Sequence, residues 1–197
     1  ANFTFDDNNH PWGVWNQHYP STLGVCAGNL TTEATPVTLS TGDEKTEQDG
    51  GYPSTVIDSH NNRWVFWESF ANNCYWNGTA QQILTSFCDS TLKNWSVQYV
   101  LSNDSQTFLN QTPRCAIDKK GVIWVVWSGR PPWNRKSNWG IYLTKYVNGT
   151  WTAPRRLSND NVPGRAPDIC VGADNSVWIT WHSGVGSQMT ISLLRCQ

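Results

Sequence analysis

Glu68, in the stretch RWVFWES, is the one carboxylate that directly follows a closely spaced pair of tryptophans. Cleaving a glycosidic bond takes two carboxyl groups flanking it, about 5–9.5 Å apart, and Glu68 has no partner at a motif spacing. The arginines that could hold an anionic group (Arg63, Arg114, Arg130, Arg155 and Arg165) fall on different segments. The chain contains no G-x-S-x-G, H-E-x-x-H, phosphate-loop or dinucleotide fingerprint. Asp6, Asp58 and Asp118 recur at one place in an internal pattern, but each opens a tight polar turn (DDNN, DSHNN, DKKG). A carboxylate there accepts backbone N–H groups two residues on. Gly172 stands at the fourth such place, which suits a turn and not a shared catalytic role. These residues predict a protein that is not an enzyme.

A second set of residues has the chemistry of a sugar contact. Trp76, Trp133 and Trp139 lie in two segments of varying length, FANNCYWNGTAQQ (70–82) and GRPPWNRKSNWG (129–140). Rings offer a plate to the C–H face of a sugar, and planar amide or guanidinium groups serve its hydroxyls. The candidate ligand contacts are Tyr19, Tyr75, Trp76, Arg130, Trp133, Arg135, Asn138 and Trp139.

Composition narrows the partners. With 14 basic and 15 acidic residues in 197, nothing points to nucleic acid, and no apolar run is long enough to insert in a membrane. The six cysteines, Cys26, Cys74, Cys88, Cys115, Cys170 and Cys196, suit disulfides in an oxidising compartment, with the pairing open. They form no C-x-x-C pair and the four histidines are scattered, so neither a metal nor another cofactor is expected. Seven N-x-(S/T) sequons, at Asn2, Asn29, Asn77, Asn94, Asn103, Asn110 and Asn148, mark candidate glycosylation sites. Together with an N-terminal Ala, they suggest a processed, secreted chain.

The elements that must position these residues are repeats. Pro113, Asp118, Trp124 and Trp127 recur as Pro53, Asp58, Trp64 and Trp67, then as Pro167, Gly172, Trp178 and Trp181. Ala1, Asp6, Trp12 and Trp15 form the first copy. Alternating segments TLGVC, ILTSFC, IYLTKY and ISLLRC follow, and in the first three copies an extended piece ends in Leu-Ser. Short β-branched and aromatic runs between Asn/Asp/Gly turns predict strands and no helix. The paired tryptophans read as core, each pair gripping both faces of its sheet. Trp95 and Trp151 are expected to pack as well.

Four-stranded antiparallel units at this period are the signature of a β-propeller. On the P-x4-D-x5-W-x2-W spacing the whole chain resembles β-propeller repeat proteins, in particular secreted propeller lectins and sialidase-like propellers. Its turn is one residue longer than the sialidase-type S-x-D-x-G-x-x-W. The expected fold is all-β, a four-bladed propeller with repeats at about 1–50, 51–110, 111–164 and 165–197, the last without its outer strand. Four blades is the size of hemopexin-like propellers, whose resemblance implies a Cys26–Cys196 bridge closing the ring. In a propeller the Trp-bearing loops share one end face, and Asn2, Ser54, Arg114 and Asp168 line the axis, where Arg114 and Asp168 pair or grip a small polar ligand. The resemblance implies a lectin-like, carbohydrate-binding module without enzymatic activity, with glycans or glycoproteins as partners. The alternative is a structural glycoprotein that self-associates into oligomers or filaments by strand addition at the open edge.

Overall fold

The structure is a computed structural model that describes residues 1–18, 23–31, 36–40, 48–71, 81–89, 91, 93–102, 109–130 and 138–196, the side chains of 18, 23, 24, 48, 49, 70 and 71 excepted. Among the described residues every regular element but one 3₁₀ turn, Gly186–Gln188, is a strand, and the strands form four antiparallel sheets. Sheet 1 holds β1 (Asn2–Phe5), β2 (Pro11–His18), β3 (Leu23–Asn29) and β4 (Val37–Thr38). Sheet 2 holds β5 (Gln48–Ile57), β6 (Arg63–Ala71), β7 (Gln82–Cys88) and β8 (Tyr99–Val100). Sheet 3 holds β9 (Leu109–Ile117), β10 (Ile123–Arg130), β11 (Gly140–Val147) and the short pieces β12 (Thr150–Trp151) and β13 (Arg155–Arg156). Sheet 4 has β14 (Gly164–Val171), β15 (Val177–Ser183) and β16 (Thr190–Cys196), with no fourth strand among the described residues.

Each second strand carries a Trp pair three residues apart. An odd spacing sends the two rings to opposite faces of a sheet. Where two sheets meet, the first ring of a pair faces the following sheet and the second ring faces the preceding one. Trp12 with Val14 packs on Val65 and Trp67 between sheets 1 and 2. Trp64 with Phe66 packs on Val125 and Trp127 between sheets 2 and 3. Trp124 with Val126 packs on Ile179 and Trp181 between sheets 3 and 4. A buried ring removes 150–250 Å² from water, about 4–6 kcal/mol gross each at 25 cal/mol/Å². Trp15 and Trp178, on the faces that meet no neighbour, are only partly covered. Six of the eight paired rings are therefore seam residues. Trp95 stacks on Trp12 at 6.4 Å and Trp151 meets Trp64 edge-on at 6.0 Å, as packing residues.

The recurring proline marks a bulge. Tyr52–Pro53, Thr112–Pro113 and Ala166–Pro167 each set two residues against one, opposite Trp67, Trp127 and Trp181. The residue before each proline is left-handed, with φ of 48°, 53° and 49°. For a residue with a side chain this costs roughly 1–2 kcal/mol. It also turns that residue's N–H out of its own sheet.

The repeated aspartates are turn residues. Asp118 Oδ1 accepts from the N–H groups of Lys120 (2.8 Å) and Val122 (3.0 Å), and its Oδ2 accepts from Trp124 Nε1 (3.1 Å). Asp58 makes the same three bonds to His60, Asn62 and Trp64. Where Gly172 interrupts the pattern, Asp174 accepts from Ser176 instead.

The outer strand of each of the first three sheets is fastened by its Leu-Ser pair. Leu39, Leu101 and Leu157 donate their N–H groups to the carbonyls of Val25, Ile83 and Ile141. Ser40, Ser102 and Ser158 Oγ accept the N–H groups of those same three residues at 2.8–3.0 Å.

Several sequence expectations are corrected. Cys88, Cys115, Cys170 and Cys196 are free thiols, so the expected disulfide framework is not formed among the described residues and Cys196 does not close a ring with Cys26. Cys26 Sγ instead lies 3.3 Å from Gln17 Oε1, and Cys74 is outside the described residues. Among the described residues nothing covers Phe3 on sheet 1, 63% exposed, or Ile191 on sheet 4, 68% exposed. Asn110 is fully buried, its Nδ2 donating to the Gln81 carbonyl and its Oδ1 accepting from Trp127 Nε1, so it has no room for a glycan. Asn94 and Asn148 are exposed, and Asn2 and Asn29 are half-buried. Asn77 and Asn103 lie outside the described residues.

Seam and outer-face tryptophans are expected to differ in what they contribute. Trp67→Ala should lower unfolding free energy by about 3–5 kcal/mol, and Trp178→Ala by about 1 kcal/mol or less. Urea unfolding of the two variants checks this; equal losses would refute the seam assignment.

Candidate active site

At the seams on either side of sheet 3 the residue after the second Trp of one sheet faces the bulge of the next, so the turned-out N–H finds an acceptor there. Ser128 Oγ accepts from the N–H of Ala166 at 3.1 Å across the seam between sheets 3 and 4. At the seam between sheets 2 and 3 the same position is Glu68, whose Oε2 accepts from the N–H of Thr112 at 2.5 Å. A hydroxyl suffices at one seam, and a carboxyl occupies the other.

That carboxyl is only 1% exposed. Burial disfavours its charged form and pushes its pKa up from the ordinary 4.5 to about 7, against the opposing pull of the Thr112 N–H and of the Arg114 charge. Around it lie amides. Gln81 Nε2 reaches Glu68 Oε1 at 3.4 Å, and Gln111 Nε2 donates to Gln81 Oε1 at 3.2 Å. Thr112 Oγ1 and Ser128 Oγ are 3.4 Å apart.

The four first-strand residues expected along the axis each bridge to a neighbouring sheet. Asn2 Oδ1 accepts from Thr55 N–H at 3.1 Å. Ser54 Oγ accepts from Cys115 N–H at 3.2 Å and lies 3.1 Å from Cys115 Sγ. Burial pushes the Cys115 thiol up to about 12, so it stays protonated. Arg114 Nε is 4.0 Å from Asp168 Oδ1, and the Asp168 side chain is 75% exposed. Arg114 therefore acts on two carboxyl groups in opposite settings: buried Glu68, which it influences electrostatically, and open Asp168.

Of the predicted ligand contacts, three are among the described residues. Arg130 ends β10 and is half-buried, at the end of the sheets where Glu68 lies. Asn138 Nδ2 donates to the Asp160 carbonyl at 3.2 Å. Trp139 is buried, with the Arg165 guanidinium 4.2 Å from its ring centre, so that face is occupied by an arginine. Tyr19, Tyr75, Trp76, Trp133 and Arg135 lie outside the described residues. The sequence reading missed Gln81, Gln111 and Thr112, and left Glu68 without a partner. Only the repeat register, which sets Glu68 opposite the next bulge, could have supplied one.

No known protein-family profile matches the chain, and no curated protein matches it in sequence. Solved structures do. An N-acetylgalactosamine deacetylase from F. plautii, in complex with blood group B trisaccharide, superposes with a TM-score of 0.70 at 10% identity over 99% of this chain and 65% of its own. A Penicillium chrysogenum α-L-arabinanase complexed with arabinobiose gives 0.64 at 10% identity over 98% and 60%. A sialidase from Streptococcus pneumoniae gives 0.61 at 9% identity over 98% and 30%. The chain shares the β-propeller fold of these three proteins. The chain spans less than two thirds of the length of each of these three proteins. These neighbours are enzymes, which overturns the expectation of a non-enzymatic lectin.

The buried carboxyl makes stability depend on pH. Folded Glu68 keeps its proton to about pH 7, whereas the unfolded group loses it near 4.5. The folded state thus binds more protons between those values, so stability falls as pH rises through that window, by on the order of 3 kcal/mol. Glu68→Gln should remove this slope, read as urea midpoints at pH 5 and pH 8. A wild-type slope no steeper than the variant's would show that Glu68 is ionised throughout.

Proposed function

We propose that this chain forms four consecutive blades of a glycan-processing β-propeller enzyme that cleaves glycosidic bonds. The observation that carries this reading is one arginine, Arg114, acting on two carboxyl groups of opposite environment, buried Glu68 and exposed Asp168. Asp168, exposed beside Arg114, is the carboxyl that reaches the scissile bond. Glu68 is 1% exposed and holds a proton to about pH 7, so it reaches no substrate itself and acts as a positioning residue that sets the charge Arg114 feels.

Arg130 and Asn138, with Tyr19, Tyr75, Trp76, Trp133 and Arg135, are the proposed substrate rim, with Trp139 buried behind it under Arg165. The partners are glycans. The exposed sequons at Asn94 and Asn148 support a secreted protein.

The test is release of reducing ends from arabinan, sialylated and blood-group oligosaccharides. Activity on one of them is expected to fall along an alkaline limb near pH 7 in kcat/KM that Glu68→Gln removes, and Asp168→Asn is expected to lower kcat about 10²–10⁴-fold. Full activity in both Glu68→Gln and Asp168→Asn would overturn the assignment.

A further inference from the structure

The three bulges differ in the side chain they carry. Sheets 3 and 4 place a small one at the left-handed residue, Thr112 and Ala166, whereas sheet 2 places a tyrosine there, Tyr52, with φ of 48°. A bulky side chain is rarely held in that conformation, and such strain gathers where a protein clamps a ligand. Packing does not account for the ring, which is 52% exposed. Pro53, the other residue of the same bulge, is the buried one.

Register sets Tyr52 at the candidate site. In sheet 3 the bulge side chain lies against the residue after the second Trp of the same sheet, Thr112 Oγ1 being 3.4 Å from Ser128 Oγ. The corresponding pair in sheet 2 is Tyr52 and Glu68: Gly51 pairs with Glu68, and Tyr52 is the next residue. Glu68 is 1% exposed, so of the two only the tyrosine meets solvent.

The inner strands extend this into two tiers. Ser54 bridges β5 to β9 through Cys115, and Arg114 bridges β9 to β14 through Asp168. Tyr52, Thr112 and Ala166 stand two residues before Ser54, Arg114 and Asp168, one tier nearer the Glu68 end. The upper tier offers a ring, a hydroxyl and a methyl group, and the lower one an arginine and a carboxylate. A sugar uses this combination, its C–H face lying on a ring and its hydroxyls on polar groups. Charge narrows the class. Arg114 is already held 4.0 Å from Asp168, whose side chain is 75% exposed, so a sugar carboxylate would meet an open like charge.

We infer that Tyr52 is the stacking platform of a subsite for a neutral sugar residue, two sheets away from Asp168. It rests on the glycan-processing role, and adds where a sugar unit beyond the scissile bond is held and which charge class is accepted. A tyrosine ring supplies a rigid, broad contact face at little cost in side-chain entropy, which is the return on its strained backbone.

The test reads binding without turnover. A neutral arabinan oligosaccharide, a blood-group B trisaccharide and sialyllactose are each titrated into the intact protein, and exposed tyrosine rings are followed by photochemically induced nuclear polarisation. Tyr99, 54% exposed on β8, is the internal control, and Tyr52→Phe identifies the Tyr52 signal. Saturation with one of the neutral sugars is expected to suppress the Tyr52 signal and leave that of Tyr99 unchanged. By calorimetry, Tyr52→Ala is expected to weaken that binding about 10-fold, as truncation of an aromatic anchor does. Tyr52→Phe, which keeps the ring, is expected to restore it, and sialyllactose to bind about 10-fold more weakly than the neutral sugar. Absence of saturable binding by either neutral sugar, a Tyr52 signal that persists at saturation, full binding by Tyr52→Ala, or equal binding of sialyllactose would overturn the inference. Cleavage with an unchanged KM in Tyr52→Ala would overturn it and leave the enzymatic role intact. Stacking on Tyr52 in a protein that cleaves none of the three sugars would do the reverse.

Discussion

Everything in this molecule depends on an odd number, the three-residue step between paired tryptophans. In a strand that step sends one ring forward and one ring back, so a single short segment glues its sheet to both neighbours. Trp64 and Trp67 hold sheets 3 and 1 from the same strand. A step of two or four would put both rings on one face and leave the other face without a large apolar group. Stability is then distributed along the array seam by seam, and each seam is built from the same parts.

The candidate site arises where one seam departs from its neighbours. The bulge before each proline exists to carry the first strand past the second Trp, and it turns out one N–H as a consequence. Ser128 satisfies that donor neutrally. Glu68 does so with a group that can hold or release a proton. The scaffold thereby places a carboxyl in a dry seam without building a pocket for it, and the neighbouring first strand brings Arg114 and, beyond it, Asp168.

The fold was legible because its rules are local. Period-two alternation, the Asp turn and the proline offset are all written within about fifteen residues, and each reappears in the structure as a strand, a carboxylate-capped turn or a bulge. The site was not legible for the opposite reason. Glu68 and Thr112 are 44 residues apart, and Arg114 meets Asp168 across another seam, so only packing brings the three together. The cysteines misled because six in an apparently secreted chain invite pairing. In the fold, Cys115 meets a serine and Cys88 is enclosed in sheet 2, where burial pushes its pKa up to about 11. Asn110 misled likewise, since a three-residue sequon carries no information about burial.

The Leu-Ser fastening makes the outer strand a buckle and not a zip. In sheet 3 the regular pairing of β12 and β13 covers only two residues each, and the hydroxyls of Thr152 and Ser158 do the rest from either end. A strand tied at two points transmits little along its length. Chain between the ties can lengthen, bow outward or change composition without disturbing the register of the three inner strands. The outer rim is thus the layer of this architecture on which sequence can drift most freely, while the seams it encloses stay fixed.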